Sequence, residues 1–388
     1  MRQDITAALE TQRGLFEIPE EISFLNCAYM SPQLRTVRAA GEKAIARKSR
    51  PWEISPRDFF ENSETARELF ARVVGGDAEG VAIIPSVSYG MAVATANVPL
   101  EAGQSIVILE EQFPSNVYPW HELAKRKEAD VVIAPRPADH DWAGAVLERV
   151  DERTAVVAVP NCHWTDGSLV DLARVGRRAR EVGAALVVDG IQSLGAYPFD
   201  VGEVRPDFLI VSSYKWLLGP YGLGFMYVGE EYREGTPIEH NWINRRSSEN
   251  FARLVEYEDA FQPGARRFDV GERSNFVLLP MAIAALRQIL DWGIENVSNT
   301  IGQMTDLVEK EAKECGIEAV PAEKRARHII GLGLGPEGPR TPEDLAARLA
   351  SDNVFVSVRG GSIRVSPHLY NTERDVERLF NSLLRHLR

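Results

Sequence analysis

Between about Val81 and Val228 the chain alternates short β-branched apolar runs with longer stretches whose apolar positions recur every three or four residues. The short runs are Val81 to Ile84, Ser105 to Leu109, Asp130 to Ala134, Thr154 to Val159, Ala185 to Val188, Phe208 to Val211 and Gly224 to Val228. Asn116 to Glu128 and Leu172 to Val182 carry the helical period, and Gly183 stands where a helix C-terminal cap belongs. This alternation predicts an α/β fold with a mainly parallel sheet of seven strands and helices on its faces. An antiparallel meander would need short turns and strict period-two alternation instead.

After about Pro263 the pattern changes. Long helical runs, Leu279 to Asp291 and Ile294 to Glu314, precede a strand-like His328 to Leu334 and a helix from about Thr341 to Ser351. Strands at Phe355 to Val358 and Ser362 to Ser366 and a last helix from Thr372 to Leu387 follow. Asn371-Thr372-Glu373-Arg374-Asp375 gives that helix a cap and early acidic residues. The pattern predicts a small C-terminal α+β domain, packed closely because no Gly/Ser linker intervenes. The expected division is a large domain at residues 20–270 and a small one made of 1–19 with 271–388.

A chain of 388 residues suits two such lobes, and 44% hydrophobic with 26% charged residues and no low-complexity tract excludes disordered and fibrous classes. The net charge of -12 argues against nucleic-acid and anionic-membrane partners, which leaves a small molecule. Cys27, Cys162 and Cys315 are scattered and odd in number, so neither a disulfide framework nor a metal site is expected. A reducing cytoplasm fits them. The first residues hold no apolar targeting core, and no uncharged apolar run approaches about 18 residues, so neither export nor membrane insertion is expected.

Candidate chemistry begins where Val187-Val188-Asp189 ends an apolar strand in a carboxylate, because the carboxyl ends of parallel strands open into the ligand crevice. A carboxylate there either caps the next helix or holds a pyridinium nitrogen protonated, making the ring an electron sink. Further on, strand Phe208 to Val211 ends in Ser212-Ser213-Tyr214-Lys215, followed by Trp216-Leu217-Leu218. A lysine alone in such a run is usually a snorkelling surface residue; paired with Asp189, it reads as a desolvated, nucleophilic amine. A third piece is Pro85-Ser86-Val87-Ser88-Tyr89-Gly90, where strand gives way to helix and free N–H groups and hydroxyls can bind phosphate or merely cap.

Together these residues resemble the class V aminotransferase family of fold-type I pyridoxal-phosphate enzymes, which includes cysteine desulfurases, selenocysteine lyases, kynureninases and isopenicillin N epimerase-like proteins. The resemblance runs from Phe24-Leu25-Asn26-Cys27-Ala28 to the last helix and is most specific at Asp189, Gln192 and Lys215. It implies pyridoxal 5'-phosphate held as a Schiff base by Lys215, with Asp189 on the pyridine nitrogen and Gln192 reaching the ring 3'-oxygen. Ser88, Ser212 and Tyr214, helped by the Ser86-Val87 backbone, would bind phosphate. Phe113 stands where many relatives stack a histidine on the ring, so proton transfer would fall to Lys215 or another base. His163 and Trp164 resemble the aromatic pair of kynureninase-like members, although a structural histidine fits as well. Arg364 would clamp the substrate α-carboxylate, with Arg359 a second choice and Asn26 lining the same site.

Two departures from the family matter. The segment Ser357-Val358-Arg359-Gly360-Gly361-Ser362 is short and holds no cysteine where desulfurases carry their sulfur acceptor, so persulfide chemistry there is not expected. Glu272 stands among residues that in relatives give a phosphate donor to the neighbouring subunit, which leaves Ser274 and Asn275 as candidates. The resemblance implies a homodimer acting on an α-amino acid through a Cα carbanion, with transamination first, β-elimination or carbon–sulfur lysis next, and epimerisation also open. The rival from a different class is a non-enzymatic phosphate- or nucleotide-binding protein using the Ser86 to Gly90 turn, which leaves Asp189 and Lys215 unexplained.

Overall fold

The computed structural model describes residues 8–333, 342 and 344–387. Leu334, Thr341 and residues 1–7, parts of the expected strand, helix and small domain, lie outside them. The chain opens with strand β1 (Ser23–Phe24) and helices α1 (Arg35–Lys48) and α2 (Glu61–Val74). An alternating series follows: β2 (Val81–Ile84), α3 (Val87–Asn97), β3 (Ser105–Leu109), α4 (Tyr118–Lys127), β4 (Asp130–Ala134), α5 (Trp142–Leu147) and β5 (Thr154–Pro160). It continues through α6 (Leu172–Val182), β6 (Ala185–Asp189), α7 (Val201–Val204), β7 (Phe208–Ser212) and β8 (Gly224–Val228).

These seven strands form one sheet in the order β2-β8-β7-β6-β5-β3-β4. Neighbours pair in parallel except β8, which runs antiparallel to both β2 and β7. The segment between β7 and β8 contains no crossover helix, and a strand that returns without one comes back reversed. The central strands are buried on both faces, which is why the sequence shows continuous apolar runs. Successive side chains feed opposite cores: Val157, Val188 and Leu209 join one apolar cluster, Val156, Val187 and Ile210 the other.

Two long helices follow, α8 (Leu278–Trp292) and α9 (Ile294–Glu314), then β9 (Glu318–Ala319), β10 (Ile330–Gly333), α10 (Leu345–Ser351), β11 (Val354–Phe355), β12 (Ser357–Arg359), β13 (Ser362–Val365) and α11 (Glu373–His386). A second, antiparallel sheet runs β12-β13-β10-β9. The strand expected at Phe355 to Val358 is split: β11 pairs with β1, and beyond Val356 the chain turns to pair with β13 as β12. Asn26 also bridges to Ser366, so the N-terminal segment is stitched to the C-terminal lobe. Leu25, Val308, Ile330, Leu332, Ile363, Val365, Leu379 and Leu383 build a separate core there, while α8 packs on α1 and α2. No helix among the described residues is long and apolar enough to cross a membrane.

Candidate active site

Because β6 and β7 are parallel neighbours, Asp189 and Ser212 finish at the same edge of the sheet, and Lys215 follows three residues after Ser212. Lys215 is only 6% exposed, its Nζ 5.8 Å from the centre of the Phe113 ring and 5.6 Å from that of Tyr214. Burial, reinforced by Arg364 and opposed by Asp189, brings its amine from 10.5 down to about 7. Asp189 is pushed up to about 6, chiefly by burial, against the pull of the Ile191 N–H and of Lys215. Its Oδ1 accepts that N–H at 3.0 Å, which leaves Oδ2 for another donor. The two groups feel each other's charge without closing a direct hydrogen bond among the described residues. A buried acid and a buried amine held apart in this way fit a ring carrying a basic nitrogen at one end and a carbonyl at the other.

At the start of α3, Ser86 caps the helix by accepting the Tyr89 N–H at 3.2 Å, and its hydroxyl lies 2.9 Å from that of Ser88. The Val87 and Ser88 N–H groups occupy first-turn positions that have no helical acceptor, so with the two hydroxyls they form an anion cradle. Ser274 and Asn275 lie on the turn into α8, where Asn275 Oδ1 accepts the N–H groups of Val277 and Leu278 at 3.1 and 2.9 Å. The preceding loop is anchored by Asp269, buried between Arg67 and Arg273 and accepting the Ile83 N–H at 2.6 Å.

Phe113 is 38% exposed and meets Trp164 edge-on at 5.4 Å. The Trp164 indole N–H donates to Glu111 O at 2.7 Å. His163 is in a different setting: fully buried, it stacks on Trp142 at 4.8 Å. Its Nε2–H donates to the Glu110 carbonyl at 3.2 Å, which leaves Nδ1 to accept from the Thr165 hydroxyl at 2.8 Å. Burial lowers its pKa, so the ring is neutral and both nitrogens are engaged. This geometry gives His163 a structural hold on the loop rather than a free ring facing the crevice.

Arg364, on β13, is 2% exposed and has no carboxylate partner among the described residues. One Nη donates to Trp164 O at 2.7 Å, and Nε is buried without a partner. Burial and the nearby charge of Arg359 bring its pKa down to about 9, the sign of a cation short of an anion. Asn26 is held beside it through the Ser357 hydroxyl, which donates to Asn26 Oδ1 at 2.8 Å.

Some residues of the arrangement are not evident in the sequence. Trp216 Nε1 donates to Gln192 Oε1 at 3.1 Å, Gln192 Nε2 donates to Ala28 O at 3.2 Å, and His328 Nε2 donates to Gln192 O at 2.5 Å. Trp216 and the Ala28 carbonyl orient the Gln192 side-chain amide, and His328 holds its backbone carbonyl. Arg136, just beyond β4, binds Glu111, Asp166 and Thr165 and so joins the loop bearing Phe113 to the loop bearing Trp164. Its place after a parallel strand's carboxyl end was the available signal; the partners of Gln192 left none, being far apart in sequence.

The sequence model described as "Aminotransferase class-V" matches residues 55–379. Among curated relatives, an uncharacterized aminotransferase, YcbU, of Bacillus subtilis (strain 168) is 25% identical over 334 residues, covering 84% of each chain. A probable cysteine desulfurase of Methanothermobacter thermautotrophicus is 24% identical over 342 residues, covering 82% of each. Among solved structures, the apo cysteine desulfurase from Thermococcus onnurineus NA1 superposes with a TM-score of 0.83 at 19% identity, covering 98% of this chain and 99% of that one. A C-DES mutant with glycine covalently linked to its PLP cofactor gives 0.86 at 16% identity, covering 96% and 98%.

Proposed function

This chain belongs to the aminotransferase class-V family and has the fold-type I architecture of pyridoxal-phosphate enzymes, and from that premise we propose that it binds pyridoxal 5'-phosphate at Lys215 and transforms an α-amino acid. The observation that carries the reading is the buried pair of Lys215 and Asp189 beside a buried Arg364 that has no anionic partner among the described residues. When bound, the cofactor supplies an electron sink for the Cα electron pair. Asp189 would hold a proton on the ring nitrogen, Gln192 would face the ring oxygen, and Phe113 would cover the ring. Val87 N–H, Ser88, Ser212 and Tyr214 would hold the phosphate, with Ser86 shaping the cradle and Ser274 and Asn275 reserved for a neighbouring subunit. Arg364 and Asn26 would fix the substrate carboxylate against Trp164. Lys215, whose pKa near 7 leaves a substantial share of free amine at neutral pH, would take and return the Cα proton.

Transamination is the favoured outcome, since Phe113 offers no proton to a leaving group and Lys215 serves both ends of a proton shift. A β-eliminating or carbon–sulfur lyase is second, favoured by the desulfurase relatives. Within this reading the chain is not a loop-cysteine desulfurase. Gly360 and Gly361 alone close the β12–β13 hairpin, and Cys27 and Cys162 are buried with thiols raised by burial. Two domains, expected at 20–270 and 1–19 with 271–388, are supported by the separate C-terminal core, although that core takes in Leu25 and α8 packs on α1 and α2; a homodimer is supported by exposed Tyr29, Met30, Tyr118 and Tyr221.

The test is to supply purified protein with pyridoxal 5'-phosphate, record its visible absorption and treat it with borohydride. Expected is a visible band that borohydride removes, with the pyridoxyl label on Lys215 by peptide mass spectrometry and none in Lys215→Ala. A protein that develops neither band nor label overturns the proposal. A panel of amino acids then separates pyridoxamine phosphate formation from release of a keto acid with sulfide, and protein-bound persulfide would remove the statement about desulfuration.

A further inference from the structure

The β12–β13 hairpin pairs Ser357 with Arg364 and Arg359 with Ser362. Side chains alternate between the faces of a strand, so this register sets Ser357, Arg359, Ser362 and Arg364 on one face. It is the face of the candidate site: Ser357 holds Asn26, Arg364 donates to the Trp164 carbonyl, and the Arg359 guanidinium lies 5.9 Å from the centre of the Trp164 ring. Two guanidiniums therefore sit diagonally on one face, and each opposes the charge on Lys215. Among the described residues neither has an acidic partner, and Arg359 Nη1 donates only to the carbonyl of its neighbour Val358, at 3.0 Å. Diagonal neighbours are within reach of long side chains, and two like charges there repel unless an anion comes between or beside them.

We propose that Arg359 receives a second anionic group of the substrate, so that the amino acid taken is acidic: an α-carboxylate on Arg364 and a side-chain carboxylate, sulfinate or similar anion on Arg359. This rests on the function proposed above. One carboxylate does not call for both heads, because Arg364 alone presents a two-pronged fork to it. The two heads also meet different parts of Trp164, carbonyl and ring, which offsets them along the site. The indole would then form the floor between the two anions, with Phe113 against its edge.

The experiment is calorimetric titration with succinate and, separately, with butyrate of the same chain length, in samples with and without saturating pyridoxal 5'-phosphate. Cofactor loading is read from visible absorption in each sample. Expected is binding of succinate at least about tenfold tighter than butyrate, a preference mostly lost in Arg359→Gln and partly kept in Arg359→Lys, while Arg364→Gln weakens both acids. Equal binding of the two acids by the wild-type protein, or a succinate preference that survives in Arg359→Gln, overturns the proposal. Protein that loads cofactor but does not discriminate removes this inference and leaves the proposed function standing. Protein that prefers succinate through Arg359 but never develops the cofactor band removes the proposed function alone.

Discussion

At the scale of single residues, burial has moved the titration of Lys215, Asp189 and Arg364 away from their ordinary ranges. Lys215, brought to about 7, is protonated below that pH and a free amine above it, whereas an exposed lysine stays protonated to 10.5. Reductive labelling of Lys215 by pyridoxal phosphate should therefore rise through a midpoint near pH 7; mass-spectrometric yield against pH checks this, and a midpoint above pH 9 would refute it. Arg364 makes the opposite kind of statement. A buried cation without an anion costs folding free energy, so Arg364→Met should leave stability unchanged or raise it by about 1 kcal/mol or more. The same variant should lose carboxylate binding, so thermal melting and ligand titration would move in opposite directions. Asp189, Lys215 and Ser88 could be named from the sequence because strand ends and helix starts announce themselves in the apolar pattern, whereas Arg364, inside β13, was named only through the family resemblance. Whether His163 faced the crevice could not, because that depends on where the Trp142 ring lies.

At the scale of elements, the lysine-bearing segment is shaped by what packs behind it. Gly195 has φ +103, and a Cβ on it would run into the carbonyl of Trp216, next to Lys215. Gly195→Ala should displace that segment and lower cofactor affinity more than it lowers the melting temperature, which absorbance titration beside calorimetry would show. The loop before α8 depends on Asp269, whose carboxylate is shared by Arg67, Arg273 and the Ile83 N–H. Asp269→Ala leaves buried Arg273 without its anion and buried Arg67 with Glu64 alone, and should destabilise the protein by about 3–5 kcal/mol, read from urea denaturation. Sequence spacing anticipated α9 and β3 at their observed bounds, since each is long or strongly patterned. It merged β11 and β12 into one strand, because the change of partner from β1 to β13 at Val356 leaves no mark in the hydrophobic pattern.

At the scale of the molecule, cofactor binding should stabilise the folded chain by mass action, by about 2.7 kcal/mol at a hundredfold excess over the dissociation constant. Thermal melts with and without pyridoxal phosphate check this, and Lys215→Ala should show a smaller rise. Sedimentation at twice the mass of one chain would support the proposed homodimer, and a monomer carrying a full complement of cofactor would remove it. What the sequence determined by itself was the alternation of strand and helix, the sheet, the small C-terminal lobe and the strand ends that carry Asp189 and Lys215. These are local: period, length and punctuation along the chain decide them, whatever lies across the fold. Only the tertiary structure decided that β8 runs reversed between β2 and β7, and that β1 is stitched to β11. It alone decided that the Gln192 amide is oriented by Trp216 and the Ala28 carbonyl, and that Arg359 and Arg364 share one face without an acidic partner among the described residues. Those facts rest on contacts between residues far apart in the chain, and on desolvation, which changes a group's charge only after the rest of the protein has closed around it.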